Sequence, residues 1–240
     1  MDAMQERRQG ATTIRYDARL LDPFEPGVFD PAWLAAQGRT TGSSAGRNQA
    51  QFFDHGGQPM VLRRFQRGGL IGRVVQNRYV WTGLDRSRAM QELALLHWMR
   101  GQGLPVPRPV AAQVTRGTLS YTAALITLRI PGAEPVDSLL QSRPLGTATW
   151  ARIGAAIRQM HDAGVDHTDL NCRNILVDAE GAPWIIDFDK CRRRPPGPWQ
   201  QSNLDRLLRS LRKQAAQAGA THWTDADWAA LIAAYGADTP

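Results

Sequence analysis

The stretch that decides the fold is His167-Thr168-Asp169-Leu170-Asn171-Cys172-Arg173-Asn174, followed a few residues later by Ile185-Ile186-Asp187-Phe188-Asp189. Two short apolar runs, residues 174–177 and 184–188, bracket a turn at 178–181, and this pattern predicts a hairpin. Apolar side chains recur at helical spacing over residues 147–163, which predicts an amphipathic helix just before the stretch. The sequence therefore places an Asp, an Asn five residues later and a second Asp beyond a hairpin.

These side chain types at this spacing fit phosphoryl transfer. A reacting hydroxyl needs a carboxylate within hydrogen-bond reach to take its proton, and Mg²⁺ prefers hard oxygen ligands. Asp169 is the predicted base, and Asn174 and Asp187 are the predicted metal ligands, as in the protein-kinase pattern. Each residue alone is typical of an ordinary turn, but the three together favour the functional interpretation. His167 is expected to brace the loop without transferring protons.

A kinase also needs a nucleotide site, for which the first half of the chain has candidates. Gly42 to Gly46 offer backbone N–H groups to phosphate oxygens, although such a Gly/Ser segment alone is typical of a turn. Arg63 takes the position where the third strand of a kinase carries lysine, and Glu92 on the following helix is its predicted partner.

Two alternatives stay open for this pair. Neighbouring strand residues face opposite ways, so Arg64 is an alternative to Arg63 as the phosphate ligand. Glu92 is an ordinary surface glutamate in the second interpretation, since Arg88 lies four residues before it.

The order of elements predicts an α+β molecule with two lobes. Residues 1–131 are predicted to form a small five-stranded antiparallel lobe with one main helix, and residues 132–240 a mainly helical lobe. The segment from Gly38 to Arg47 is too rich in glycine and serine to predict a regular element. Capping pairs predict two C-terminal helices, one starting at Ser202 and the other at Thr224.

The formal net charge of +7 is concentrated in one window. Between Lys190 and Lys213 lie eight of the 29 basic residues and one of the 22 acidic residues, so the remainder of the chain is balanced. A local patch of this kind does not indicate a nucleic-acid-binding surface over the whole protein. The two cysteines, Cys172 and Cys191, lack metal-ligand spacing, so we expect neither a disulfide framework nor a zinc site. No signal peptide or membrane span is expected, which predicts a protein kept in the cytosol.

The chain resembles the 3-deoxy-D-manno-octulosonic acid (Kdo) kinases, which have a protein-kinase-like fold. Besides the two motifs around Asp169 and Asp187, the resemblance rests on Gly46-Arg47 before Phe52-Phe53, Val61-Leu62-Arg63-Arg64-Phe65-Gln66-Arg67-Gly68-Gly69-Leu70, and Gly103-Leu104-Pro105-Val106-Pro107-Arg108-Pro109-Val110-Ala111-Ala112. It adds Arg47 to the nucleotide-binding residues and makes arginine at position 63 an accepted choice. Asp187-Phe188-Asp189 replaces the Asp-Phe-Gly of protein kinases, which argues against protein substrates.

The resemblance implies a function and a location. It implies ATP- and Mg²⁺-dependent phosphorylation of a hydroxyl, the 4-OH, of Kdo attached to a lipid A precursor. It also implies peripheral attachment to the cytoplasmic face of the bacterial inner membrane, with no nucleic acid as partner. The alternatives are a heptose kinase, a soluble kinase of the aminoglycoside or choline type, and an inactive kinase-like module that binds anionic lipid.

The basic window has two interpretations. Arg206, Arg209 and Lys213 share one face of a predicted helix, opposite its leucines, so the window is suited to an anionic bilayer and an anionic acceptor. The other interpretation is a solvated helix face, with Arg192-Arg193-Arg194 as a loop that keeps the protein soluble. Trp199, beside the basic loop, is expected to pack in the core, with anchoring in lipid headgroups or stacking on a sugar as the alternatives.

Overall fold

The computed structural model describes residues 4–44, 50–65, 79–217 and 222–237. The chain separates into two compact units, residues 1–98 with 108–129 and residues 99–107 with 130–240. The fold is mixed α+β, and each unit contains antiparallel strand pairs. In the described ranges, no helix is both long and apolar enough to cross a bilayer.

The first unit is built around one large antiparallel sheet. Its elements are β1 (Met4–Gln9), β2 (Thr12–Asp17), α1 (Pro31–Ala36), β3 (Thr40–Ser43), β4 (Gln51–His55), β5 (Gln58–Arg64), β6 (Tyr79–Val80), α2 (Arg88–Gly101), β7 (Pro109–Arg116) and β8 (Ser120–Leu128). The last three residues of α2 count with the second unit. The strand order is β1-β2-β7-β8-β5-β4-β3, and β6 pairs with β8.

The predicted five-stranded lobe is corrected to a sheet of eight strands over the described residues. One added strand, β3, lies in the glycine- and serine-rich segment that the sequence left irregular. Another, β1, is a charged edge strand with no buried side chain, so it shows no apolar alternation. It is held to β2 by a full antiparallel register and by the ion pair of Glu6 with Arg15.

Alternation along β5 decides which face of the sheet each side chain occupies. Met60 and Leu62 are buried in an apolar core with Phe53, Ile126 and Leu34 of helix α1. Successive residues of a strand point to opposite faces, so Val61 and Arg63 lie on the other face from Met60 and Leu62.

The second unit carries most of the helices. Its elements are β9 (Glu134–Pro135), α3 (Val136–Ser142), α4 (Thr147–Asp162), β10 (Val165–Asp166), β11 (Ile175–Val177), β12 (Pro183–Ile185), β13 (Arg192–Arg193), α5 (Trp199–Gln217) and α6 (Asp225–Gly236). The predicted hairpin is confirmed as β11 and β12, and β9 adds a third strand to it. The predicted capping box of Thr224 with Asp227 is confirmed at the start of α6.

The predicted start of α5 is wrong by three residues. The helix begins at Trp199, so Ser202 lies inside its first turn, where its hydroxyl donates to the carbonyl of Pro198. A serine bonded back to the residue four before it is a within-helix arrangement, and the sequence pattern alone does not separate it from a cap. Trp199 is buried and donates its indole N–H to the carbonyl of Pro195 at 2.7 Å, so it packs in the core and does not reach a membrane.

Close packing of α4 against α6 fixes the part of this unit that precedes β10. A Cβ at Gly154 would lie 2.1 Å from the carbonyl oxygen of Leu231, so only glycine permits this approach of the two helices. Trp150, Ile153 and Ile157 are buried on the same helix, as its apolar spacing predicts. The C-terminal end of α4 is thereby fixed just before β10 and the loop that follows it.

Candidate active site

The loop between β10 and β11 is folded around the carbonyl oxygen of Asp169. The side-chain amides of Asn171 and Asn174 both donate to this oxygen, at 2.8 and 3.0 Å. The Asp169 carboxylate itself is on the outside of the loop, with 63% of its side chain exposed. Because the nitrogen of the Asn174 amide is committed to Asp169, its Oδ1 is the atom that faces away as an acceptor.

His167 braces this loop from beneath. Its imidazole is fully buried, and its Nε2–H donates to the carbonyl of Ile186 at 3.0 Å. Burial lowers the pKa of His167, so the ring is neutral and its Nε2 carries the proton. The ring also lies edge-on to Phe188, with centroids 4.8 Å apart. This geometry supports the predicted bracing role.

The same contacts bring Asp187 to the loop. The backbone N–H of Ile186 donates to the carbonyl of Asn174 at 2.9 Å, so the residue after it leaves the hairpin next to the loop. Asp187 has a φ of 65°, a left-handed conformation that costs a non-glycine residue free energy. Strained backbone of this kind clusters at functional sites, which favours a chemical role for Asp187.

The donor set fits Mg²⁺. Asn174 offers an amide oxygen and Asp187 a carboxylate, which are hard ligands of the kind that Mg²⁺ prefers. In the part of the chain that the structure describes, no group of three or more His, Cys, Asp or Glu side chains forms a metal cage. Mg²⁺ in kinases is held by one or two carboxylates together with phosphates and water, so two protein ligands suit it.

A buried polar network behind the loop was missed by the sequence analysis. Asn203 on α5 accepts a hydrogen bond from the backbone N–H of His167 at 3.0 Å and donates to Asp166 at 3.1 Å. Arg194 forms an ion pair with the other oxygen of Asp166 at 3.0 Å. The only sequence signal was a polar residue on the apolar stripe of α5, next to the buried Leu204.

Part of the basic window is paired with other segments of the chain. Arg192 and Arg193 form β13, which pairs with Val165 and Asp166 of β10, so the predicted loop is corrected to a strand, while both side chains are exposed as that interpretation expects. Arg194, which follows β13, forms an ion pair with Asp166, so its charge is partly compensated within the protein.

Arg206 also differs from its expected place. On the sequence it belongs to a charged helix face outside the Asp169, Asn174 and Asp187 set, but in the structure its Nη1 lies 3.9 Å from Oδ1 of Asp169. Arg209 and Lys213 are exposed on the same helix, as predicted.

The nucleotide-site candidates of the first unit divide into described and undescribed residues. Arg63 and Glu92 are brought together as an ion pair, and the Glu92 side chain is 3% exposed, so it is no surface glutamate. Arg64 follows on the opposite face of β5. Gly42 lies within β3, opposite Phe52, with a φ of 148° that favours glycine. Gly46 and Arg47 lie outside the described residues.

An exposed carboxylate on a loop that is hydrogen-bonded through Asn174, and joined through Ile186 to the residue before Asp187, is the arrangement expected of a phosphotransferase of the kinase type. The Arg63–Glu92 ion pair of the first unit is a separate feature typical of the same class. A family model described as "Lipopolysaccharide kinase (Kdo/WaaP) family" matches residues 31–235. The chain belongs to this family.

Curated relatives are similar to this chain over almost its whole length. A 3-deoxy-D-manno-octulosonic acid kinase of Vibrio parahaemolyticus is 40% identical over 232 residues, covering 96% of this chain and 97% of the relative. One of Photobacterium profundum is 40% identical over 222 residues, covering 92% and 94%. One of Haemophilus influenzae is 38% identical over 215 residues, covering 86% and 89%.

Proposed function

We propose that this protein transfers the γ-phosphoryl group of ATP to the 4-hydroxyl of a Kdo residue linked to a lipid A precursor, in lipopolysaccharide core biosynthesis. The observation that carries the proposal is the loop in which Asn174 is hydrogen-bonded to Asp169 and joined through Ile186 to Asp187. The relatives named as Kdo kinases supply the acceptor.

The roles follow from the chemistry of each group. Asp169, which is solvent-accessible, takes the proton as the acceptor hydroxyl oxygen bonds to the γ-phosphorus and the bond to the bridging oxygen of ADP breaks. Asn174 Oδ1 and the Asp187 carboxylate would hold Mg²⁺, which when bound neutralises charge on the phosphates. His167 keeps the loop and the hairpin in register through Ile186.

Residues 1–131 are proposed to be the small, nucleotide-binding lobe and residues 132–240 the catalytic lobe of a bilobal protein-kinase-like fold. Arg63, positioned by Glu92, would contact phosphate, and Gly42, Gly46 and Arg47 would line the phosphate loop. A guanidinium is a planar fork and not a point charge, so two phosphate oxygens can be bound at once.

Peripheral attachment to the cytoplasmic face of the inner membrane is the third part of the proposal. Arg209, Arg212 and Lys213 are exposed on α5 and remain available for an anionic surface. Each such charge near an anionic bilayer contributes about 1 kcal/mol, which is enough for several together to raise the local protein concentration.

The test is a reaction of the protein with ATP, Mg²⁺ and Kdo-linked lipid IV_A, followed by mass spectrometry and NMR of the product. Addition of one phosphate to Kdo at O4 supports the proposal. A heptose-containing core acceptor and an aminoglycoside serve as competing acceptors. Faster turnover of either would replace Kdo as the substrate, and phosphate at another position would change the assigned hydroxyl.

A further inference from the structure

Helix α5 contacts the loop between β10 and β11 along a single stripe of its surface. Asn203, Arg206 and Ser210 are spaced by three and four residues, so they lie on one helical face. Asn203 accepts the backbone N–H of His167 at 3.0 Å, and the Ser210 hydroxyl accepts the backbone N–H of Cys172 at 3.0 Å. Arg206 lies between these two anchors, so its backbone is fixed relative to Asp169.

The guanidinium of Arg206 lies close to Asp169 but is not hydrogen-bonded to it. Its separation from Oδ1, 3.9 Å, is longer than a hydrogen bond, and the side chain is 48% exposed. Within the described ranges, no residue accepts a hydrogen bond from it. A guanidinium carries five N–H donors in a fork that matches an oxyanion bidentately.

Because Arg206 lies beside Asp169, the position of the acceptor hydroxyl determines which substrate group Arg206 contacts. The acceptor hydroxyl must come within roughly 3 Å of the Asp169 carboxylate to lose its proton. Whatever substituents flank that hydroxyl therefore lie beside Arg206. An octulosonic acid carries a carboxylate on the same sugar ring system as its hydroxyls, so one sugar can contact Asp169 and Arg206 together.

We propose that Arg206 binds the carboxylate of the acceptor sugar and so orients the reacting hydroxyl onto Asp169. This inference rests on the proposed function. It makes Arg206 a specificity-determining residue, because a neutral sugar offers its guanidinium no charged partner. It also separates Arg206 from the remainder of the basic window, whose exposed members attract a surface at longer range.

The experiment uses a water-soluble Kdo glycoside, so that attraction to a bilayer plays no part. Steady-state kinetics are measured for the wild type, R206Q, R206K and R143Q, since Arg143 is an exposed arginine of the same unit outside the basic window. We expect R206Q to lower kcat/KM for the glycoside by about 10- to 100-fold, the range for loss of a charge-assisted hydrogen-bonded pair. The KM for ATP should stay unchanged, R206K should recover part of the loss, and R143Q should match the wild type.

A second acceptor measures the contribution of the substrate carboxylate by itself. The methyl ester of the same glycoside should be a poor substrate for the wild type, and R206Q should no longer distinguish the ester from the acid. If R206Q keeps the full preference for the acid, the assignment is overturned. A loss confined to lipid-linked acceptor, with the soluble glycoside unaffected, also overturns it and assigns the contact to a lipid phosphate.

Failure of this inference is distinguishable from failure of the proposed function. Wild-type protein that does not phosphorylate the Kdo glycoside or its lipid-linked form removes the function and the inference with it. Wild-type protein that is active, with R206Q equally active, removes only the inference. Thermal unfolding of each variant shows that a kinetic loss is not a loss of folded protein.

Discussion

Acid should destabilise the second unit through His161. This residue ends the buried face of α4 and is 1% exposed. Its Nε2 lies 3.4 Å from Oδ1 of Asn203, and its Nδ1 lies 2.9 Å from the hydroxyl of Tyr235. Burial is the largest cause that lowers the pKa of His161 to about 4, from 6.5 in an unfolded chain.

The direction of the pH effect follows from these two values. Below pH 6.5 the unfolded chain binds a proton at His161 that the folded protein does not bind until the pH approaches 4. The stabilisation is therefore fully present above pH 6.5 and is lost as the pH falls towards 4. The shift in pKa corresponds to about 3 kcal/mol, of which about 2 kcal/mol should be lost between pH 7 and pH 5.

Urea unfolding followed by tryptophan fluorescence at pH 7, 6 and 5 measures this loss. The control is H161Q, which cannot titrate in this range and places an uncharged polar amide at the site. His167 has a lowered pKa in both proteins, so its contribution cancels in the comparison. The wild type should lose about 2 kcal/mol more than H161Q between pH 7 and 5. Equal losses, or an NMR titration of His161 near pH 6.5, would refute the reasoning.

Three further variants test the remaining assignments. D169N should lower turnover by at least about 100-fold while nucleotide binding, followed by calorimetry, is retained; activity within fivefold of wild type would remove Asp169 as the base. D187N should weaken Mg²⁺-dependent ATP binding as well as turnover, and because Asn tolerates the φ of 65° the melting temperature should hold; an unaltered Mg²⁺ requirement contradicts the ligand role. Charge reversal at Arg209 and Lys213 should reduce flotation with anionic vesicles, as added salt should, relative to reversal at Arg143. Equal flotation would leave those residues as a solvated face.

The loop after β10 and the hairpin that follows it were predictable because the kinase pattern has a fixed spacing. A kinase site needs a base and two metal ligands to converge, so the interval from Asp169 to Asn174 and the hairpin before Asp187 carry the information locally. The capping box at Thr224 was predictable for a similar reason, since both partners lie within one turn of helix.

The edge of the sheet was less predictable because local patterns are weak there. Strand β1 exposes nearly all of its side chains, and its pairing depends on β2 rather than on burial. The choice between Arg63 and Arg64 as phosphate ligand depends on which face of β5 each residue occupies. The apolar contacts of Met60 and Leu62 set that face.

Long-range contacts of α5 lay beyond the reach of sequence patterns. Helical periodicity identified the charged face that contains Arg206, but it does not say which part of the protein lies opposite. The contact with Asp169 follows from the anchors at Asn203 and Ser210, which join segments more than 30 residues apart. Burial of Asn203 identifies the network only once the helix is docked.

The short link from Asp187 to β13 ties the hairpin to β10 and to the loop that follows it. Four residues separate Asp187 from the strand that pairs with β10, and Arg194 donates its backbone N–H to Gly164 at 2.7 Å. Opening the hairpin should therefore pull on the segment that precedes the loop, so that Asp169, the proposed base, does not separate alone from Asp187, a proposed metal ligand. Backbone amides on both sides of this link should exchange with solvent in one step, so warming should disorder the loop of Asp169 and the segment of Asp187 together.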